Sequence, residues 1–295
     1  MAIVQEFEYC KPKSLKEAVS LLLGHKNSIV LAGGTDLVSE LKNGMVSPRA
    51  IIDIKGIAKL NGIDFSGKVL KIGALVTFSD LIKSEIIREH FPLIAEMSGA
   101  VASVAIRNRA TMMGNICSAV PCMDSGPVLS VYDAEIHVGG AGCNFRFPVS
   151  KFFKGPRKTV LRGQGIATFI TIPLPGSKHA GCFMKLGRYK GEDLAQASVA
   201  VLALSNRQYR VAFGSVAPVP IRAKKIEKVL NGNPLDDHLL RTAKELIPEE
   251  IAPITDIRAS QEYRMHMCGV MFERAIKAAV ARLEGNDPAY GTARV

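Results

Sequence analysis

Two short stretches of this chain have the residue types and spacing to hold an anion. The first is Leu31-Ala32-Gly33-Gly34-Thr35-Asp36, in which an apolar run enters adjacent glycines and then a helix start. Glycine permits positive φ and close backbone approach, and the N–H groups bared at a helix start attract phosphate. Asp36 would repel phosphate, so it is expected to cap the helix or stabilise the turn with its carboxylate turned away. The spacing is not GxGxxG. Nor is it a Walker loop, which needs Lys-Ser or Lys-Thr after its last glycine, so simple nucleotide hydrolysis is disfavoured. A double glycine taken alone also reads as a plain strand–helix turn.

The second stretch, residues 106–119 and on to Pro121-Cys122-Met123-Asp124, is polar, contains a glycine and reads as a functional loop. Thr111 and Asn115 can bond phosphate or ribose oxygens, and Asp124 can accept from ribose hydroxyls or cap a helix opened by Pro127. In isolation, turn and capping roles are the alternative.

Other chemistry is less well supplied. The six cysteines are scattered, with Cys117 and Cys122 the only close pair and Cys143 among the isolated ones, so no cluster pattern is visible and reduced thiols are expected. Cys117 lies in the second stretch and is a candidate for oxidation. The six histidines show no ligand spacing, so no metal is expected. No nucleophile motif occurs, and no catalytic acid or base is assigned. The 38 Lys and Arg against 27 Asp and Glu leave +11, which suits an anionic ligand or an acidic partner. These bases fall in short dispersed groups without interleaved aromatics, which places nucleic acid last. The acidic N-terminus and the lack of a run near 18 apolar residues suggest a cytoplasmic protein without a membrane span.

The elements that must position these stretches are an alternating series. Expected are a strand at residues 7–9, a Ser14-capped helix burying Leu15, Ala18, Val19, Leu22 and Leu23, and a buried strand at 28–31. A helix over 36–43 stopped by Gly44, strands at 51–54, 69–73 and 134–138, a helix opened by Thr77 or Ser79, and a helix over 93–104 follow. Pro173-Leu174-Pro175-Gly176 blocks both helix and sheet, so a boundary is set at 176. Beyond it come paired strands at 198–205 and 209–215, helices over 223–230, 237–246 and 263–283, and a frayed tail from 285 to 295.

Several ordered motifs together resemble the FAD-binding medium subunit of molybdenum hydroxylases, the xanthine dehydrogenase and carbon monoxide dehydrogenase group. They are Ala32-Gly33-Gly34-Thr35-Asp36-Leu37, Ile106-Arg107-Asn108, residues 111–115, Asp124, Phe152-Phe153-Lys154-Gly155, residues 185–188, residues 217–223, Asp256-Ile257-Arg258 and Tyr263-Arg264. The likeness spans nearly the whole chain. It implies an α+β protein: a two-part FAD-binding domain of PCMH type over 1–176, divided near 56, then a smaller C-terminal α+β domain over 177–295. It implies FAD as cofactor. Ile29, Val30, Leu31, Ala32, Gly33, Gly34, Thr35 and Asp36, with Thr111, Met113, Gly114 and Asn115, would wrap the pyrophosphate. Asp124 would serve the adenosine side, and Ile166, Phe183 and Lys185 the isoalloxazine, where a cation favours the anionic reduced flavin.

The implied partners are a large subunit carrying the molybdenum cofactor, a small 2Fe-2S subunit, and an external electron acceptor such as NAD. Substrate oxidation would fall to the large subunit. Two positions depart from the pattern. Met113 stands where the family carries the first of two glycines, at a cost of about 1 kcal/mol if positive φ is required. Tyr189 stands where a second arginine is common. Residues 134–149 hold no cysteine-bearing insertion of the kind that would add a cluster. The alternatives are a self-contained flavin oxidoreductase and a flavin-free assembly scaffold.

Overall fold

The computed structural model describes residues 3, 5–140, 142, 144–161, 163, 165–189 and 193–293, so Cys143 and tail residues 294–295 lie outside the described residues. Three short strands, β1 (Glu8–Cys10), β2 (Ser28–Leu31) and β3 (Ala50–Asp53), form a parallel sheet in the order β1-β3-β2. Every residue of the central β3 is buried, whereas β2 is half-buried along its length. The buried strand expected at 28–31 is thus an edge strand, with one hydrogen-bonded neighbour among the described residues. Between β1 and β2 runs α1 (Leu15–Gly24), where the Ser14 hydroxyl accepts from the Glu17 N–H. It buries Ala18, Val19 and Leu22, but Leu23 lies at the margin of that stripe and is 47% exposed, against expectation. After the glycine pair comes α2 (Leu37–Lys42), and Gly44 at φ 65° follows its end.

The next segment contains β4 (Ile63–Ser66), β5 (Val69–Gly73), α3 (Phe78–Lys83), α4 (Glu85–His90), α5 (Pro92–Gly99), α6 (Val104–Arg107), α7 (Met112–Ser118) and α8 (Ser125–Val131). It continues with β6 (Glu135–Gly140), β7 (Asn144–Pro148), α9 (Val149–Phe152), β8 (Phe153–Gly155), β9 (Lys158–Thr159) and β10 (Gly165–Pro173). Five strands make one antiparallel sheet, β4-β5-β10-β6-β7. Thr77 opens α3 through a capping box with Asp80. The single helix expected over 93–104 is broken: α5 stops at Gly99, Ala102 takes φ 37°, and Ser103 caps the separate turn α6. The loop expected over 106–124 is largely helical, because Thr111 caps α7 and Met112, Met113 and Ile116 supply it with a buried face.

The C-terminal part comprises β11 (His179–Leu186), β12 (Ala197–Leu204), β13 (Gln208–Gly214), β14 (Ile221–Arg222), α10 (Lys224–Leu230), α11 (Asp237–Glu245), α12 (Ile247–Glu250) and α13 (Gln261–Glu284). Its sheet runs β11-β12-β13-β14, all antiparallel. All eight residues of β12 are buried, since the sheet meets α13 from this part and α5 and α8 from the preceding one. Among the described residues, the tail expected to fray is tied down. Arg282 and Glu96 form a buried ion pair at 2.9 Å, the Gly291 N–H donates to Glu96 at 2.8 Å, and Tyr290 accepts from the Gly181 N–H at 3.0 Å. Desolvating Glu96 and Arg282 demands that many partners, and the tail supplies several of them.

Candidate functional site

The two sequence stretches meet backbone to backbone. A Cβ on Gly33 would overlap the Arg109 carbonyl oxygen and sit 2.9 Å from its carbonyl carbon, so this contact admits only glycine. Gly34 adopts φ 81° and turns the chain into α2. On the other side, the Phe78 N–H donates to Ala110 and Thr77 bridges to Thr111, which fixes the second stretch against the start of α3.

Two open clefts adjoin this contact. One, of about 410 Å³, is lined by Ala32, Gly33, Lys55, Ala58, Asn61, Leu75, Thr77, Asn108, Arg109 and Thr111. The other, of about 420 Å³, is lined by Gly33, Gly34, Thr35, Val38, Ser39, Lys42 and Arg109. Both fall in the size range of ligand pockets, and their walls carry Lys42, Lys55 and Arg109 but no carboxylate. Lys55 is held by Asp53 at 2.7 Å. Burial raises the Asp53 carboxyl, but hydrogen bonds from Lys55 and Tyr9 outweigh it and hold the group below its ordinary range. Lys42, Lys55, Asn61 and Arg109 were not singled out from sequence as site residues, and Thr77 only as a helix opener. They sit on different elements, and no local pattern marks them.

Asp36 does not cap α2. Its carboxylate accepts from the Ser118 hydroxyl at 2.6 Å, linking α2 to the end of α7, and Glu40 pairs with Arg157 nearby. Thr111 accepts from the Gly114 N–H at 2.9 Å as the N-cap of α7, and a Cβ on Gly114 would lie 2.8 Å from that hydroxyl. Met113 is helical, absent from the positive-φ residues and 3% exposed, so the strain considered for it does not arise. Asn115 accepts from the Ser125 N–H at 3.3 Å and joins α7 to α8. Burial pushes the half-buried Cys117 thiol up to about 12, which holds it in the less reactive thiol form.

Asp124 and Lys185 form a buried ion pair at 2.7 Å, with Lys185 also donating to the Ala100 carbonyl at 3.0 Å. Expected at the adenosine side and at the isoalloxazine respectively, the two side chains meet each other. Nor does Asp124 cap α8. Burial raises its carboxyl, against a smaller opposing pull from Lys185. The second Asp124 oxygen is buried without a partner, as are the hydroxyls of Ser125, Ser198 and Ser215. Such orphans mark a place for a ligand or water. Ile166 on β10 and Phe183 on β11 are 2% and 4% exposed and belong to the core, outside both clefts. Ile29, Val30 and Leu31 form β2, behind the glycine turn. Tyr189 is 72% exposed beside Arg188, whose N–H donates to Asp193.

Comparison with known proteins agrees along nearly the whole chain. Residues 5–175 match the FAD binding domain in molybdopterin dehydrogenase, and residues 182–279 match the CO dehydrogenase flavoprotein C-terminal domain. The chain is 32% identical over 284 residues to the xanthine dehydrogenase FAD-binding subunit of Escherichia coli O157:H7, covering 94% of this chain and 97% of that one. It is also 32% identical over 277 residues to the glyceraldehyde dehydrogenase medium chain of Sulfolobus acidocaldarius, covering 92% and 98%. A solved carbon monoxide dehydrogenase from Hydrogenophaga pseudoflava, lacking the Mo-pyranopterin moiety of the molybdenum cofactor, superposes with TM-score 0.92 at 32% identity, covering 96% and 99%.

Proposed function

The chain belongs to the FAD-binding subunits of the molybdopterin dehydrogenases, and on that premise we propose that it relays electrons from a 2Fe-2S partner subunit to an external acceptor such as NAD. FAD is its cofactor and supplies the redox centre. A large subunit with the molybdenum cofactor would carry out substrate oxidation. Support comes from the relatives: the chain is equally similar, at 32%, to subunits named for xanthine and for glyceraldehyde dehydrogenase. Among the described residues, no helix is long and apolar enough to cross a membrane. A cytoplasmic location is part of the same proposal.

The observation that carries the site assignment is the Gly33–Arg109 contact between two cation-walled clefts. The backbone of Gly33, Gly34 and Thr35 would hold the FAD pyrophosphate, with Lys42, Lys55 and Arg109 offsetting its charge. Thr111, Gly114 and Asn115 would position that backbone surface through α7, while the Met113 side chain anchors the helix in the core. The unpartnered Asp124 oxygen would accept from a donor of the bound cofactor. Lys185 would orient this carboxylate and place a fixed dipole close by. The domain limits 1–176, divided near 56, and 177–295 belong to the proposal too, supported by the sheet break between Asp53 and Ile63 and by a second buried cluster made only of C-terminal residues.

The test is a visible absorption spectrum of the purified chain before and after incubation with FAD, with the released flavin quantified. About one FAD per chain is expected for a single dinucleotide site. A folded Arg109→Ala, Lys55→Ala double variant that keeps full FAD content and affinity would remove the cleft assignment.

A further inference from the structure

A cluster far simpler than the flavin site lies at the opposite end of the first sheet. Glu8 and Cys10 are two residues apart on the edge strand β1, so their side chains leave the same face. The turn after α1 brings His25 against them. His25 Nε2 lies 3.0 Å from Glu8 Oε2, Cys10 Sγ lies 3.3 Å from Glu8 Oε1, and one ligand atom from each residue falls within 4.8 Å of the others. Bond lengths to tetrahedral zinc of about 2.0–2.3 Å put neighbouring ligand atoms roughly 3.3–3.6 Å apart. Two of the separations, 3.0 and 3.3 Å, already lie near those values, and the whole set, within 4.8 Å, would contract onto the ion.

A second observation concerns the imidazole. His25 Nδ1 is 2.9 Å from the Leu21 carbonyl, which can only accept, so Nδ1 carries a proton. In the neutral ring the Nε2 lone pair then faces the Glu8 carboxylate, and two acceptors 3.0 Å apart need either a second ring proton or a metal cation between them. A backbone carbonyl on the far nitrogen is also how metal-bound histidines are oriented.

We propose that Glu8, Cys10 and His25 bind one zinc ion, with water from the solvent-exposed side as fourth ligand. A thiolate, an imidazole and a carboxylate suit zinc and not calcium or magnesium, which take oxygen ligands. The Cys10 thiol gives up its proton to solvent on binding, so affinity rises with pH. The ion ties a three-residue edge strand to the end of α1. Spacing in the sequence hid this set, because His25 meets the strand only through the fold.

The test uses the full chain stripped of metal with a chelator, in the presence of FAD so that flavin content is followed separately. Zinc is titrated in competition with a chromogenic chelator, and cobalt(II) serves as a spectroscopic substitute. Expected are one zinc per chain, tetrahedral cobalt absorption and a thiolate-to-cobalt charge-transfer band. Cys10→Ser should abolish that band, and His25→Ala, at a partly exposed position where folding is not at risk, should weaken zinc binding more than about tenfold. Absence of stoichiometric binding to the unmodified chain, or binding that survives both substitutions, would overturn the proposal and leave a Glu8–His25 ion pair alone.

Discussion

The cleft at Gly33 and the buried pair at Asp124 handle charge in opposite ways. At Gly33, bare backbone and the side chains of Lys42, Lys55 and Arg109 face open clefts, with no carboxylate in the walls. At Asp124, the charge of Lys185 is matched by a carboxylate 2.7 Å away, and both side chains are nearly sealed from water. An open cationic wall attracts an anion from solution and is screened by salt. A sealed pair presents a fixed dipole that ions in solution barely reach. One region is suited to capture, the other to orientation.

The largest expected effect tests the sealed region. Lys185→Ala leaves a buried carboxylate uncompensated and should lower stability by about 3–5 kcal/mol in denaturant titration. Lys185→Met combined with Asp124→Leu should recover most of that loss; failure to recover would mean the pair does more than neutralise itself. Met113→Gly comes next. It removes a core side chain and places glycine in a helix, so stability should fall by about 3 kcal/mol with no gain in FAD affinity. A tighter FAD complex would show that Met113 obstructs the site after all.

The open region should respond more gently and with salt. Arg109→Ala should weaken FAD binding about tenfold at low ionic strength and less at high ionic strength. Equal weakening at both would move Arg109 from capture to orientation. The smallest effect concerns pH. His179 packs against Phe91 and Tyr132, and burial lowers its pKa, with weaker opposing backbone hydrogen bonds. The unfolded chain therefore takes up a proton that the folded chain refuses as pH falls below about 6.5, and stability drops there, by less than about 1.4 kcal/mol per pH unit. His179→Gln should flatten that slope, and an unchanged profile would assign it to other groups.

Features that close within a few residues were legible in the sequence. Ser14 and Thr77 cap where expected, the Gly33-Gly34 turn leads into a helix, and the strands at 197–204 and 208–214 pair as a hairpin. The motifs from Ala32 to Arg264 likewise sufficed to place the chain in its family. β10 was missed although it is central to the five-stranded sheet. It is buried on both faces over its first half and so lacks the alternation that marks a half-exposed strand.

Caps, turns and helical stripes are set by contacts three or four residues apart, and the amino-acid sequence determined these with little help from the rest of the chain. Tertiary structure alone decided that Arg109 closes on Gly33, that Lys185 finds Asp124, and that Glu96 collects Arg282 and the C-terminal residues. Those contacts span from 61 to 195 residues, with 76 separating Gly33 and Arg109 in the numbering. Each depends on which strands pair and which helices cover them, and a buried charge reveals its partner only when the fold has removed the water between them.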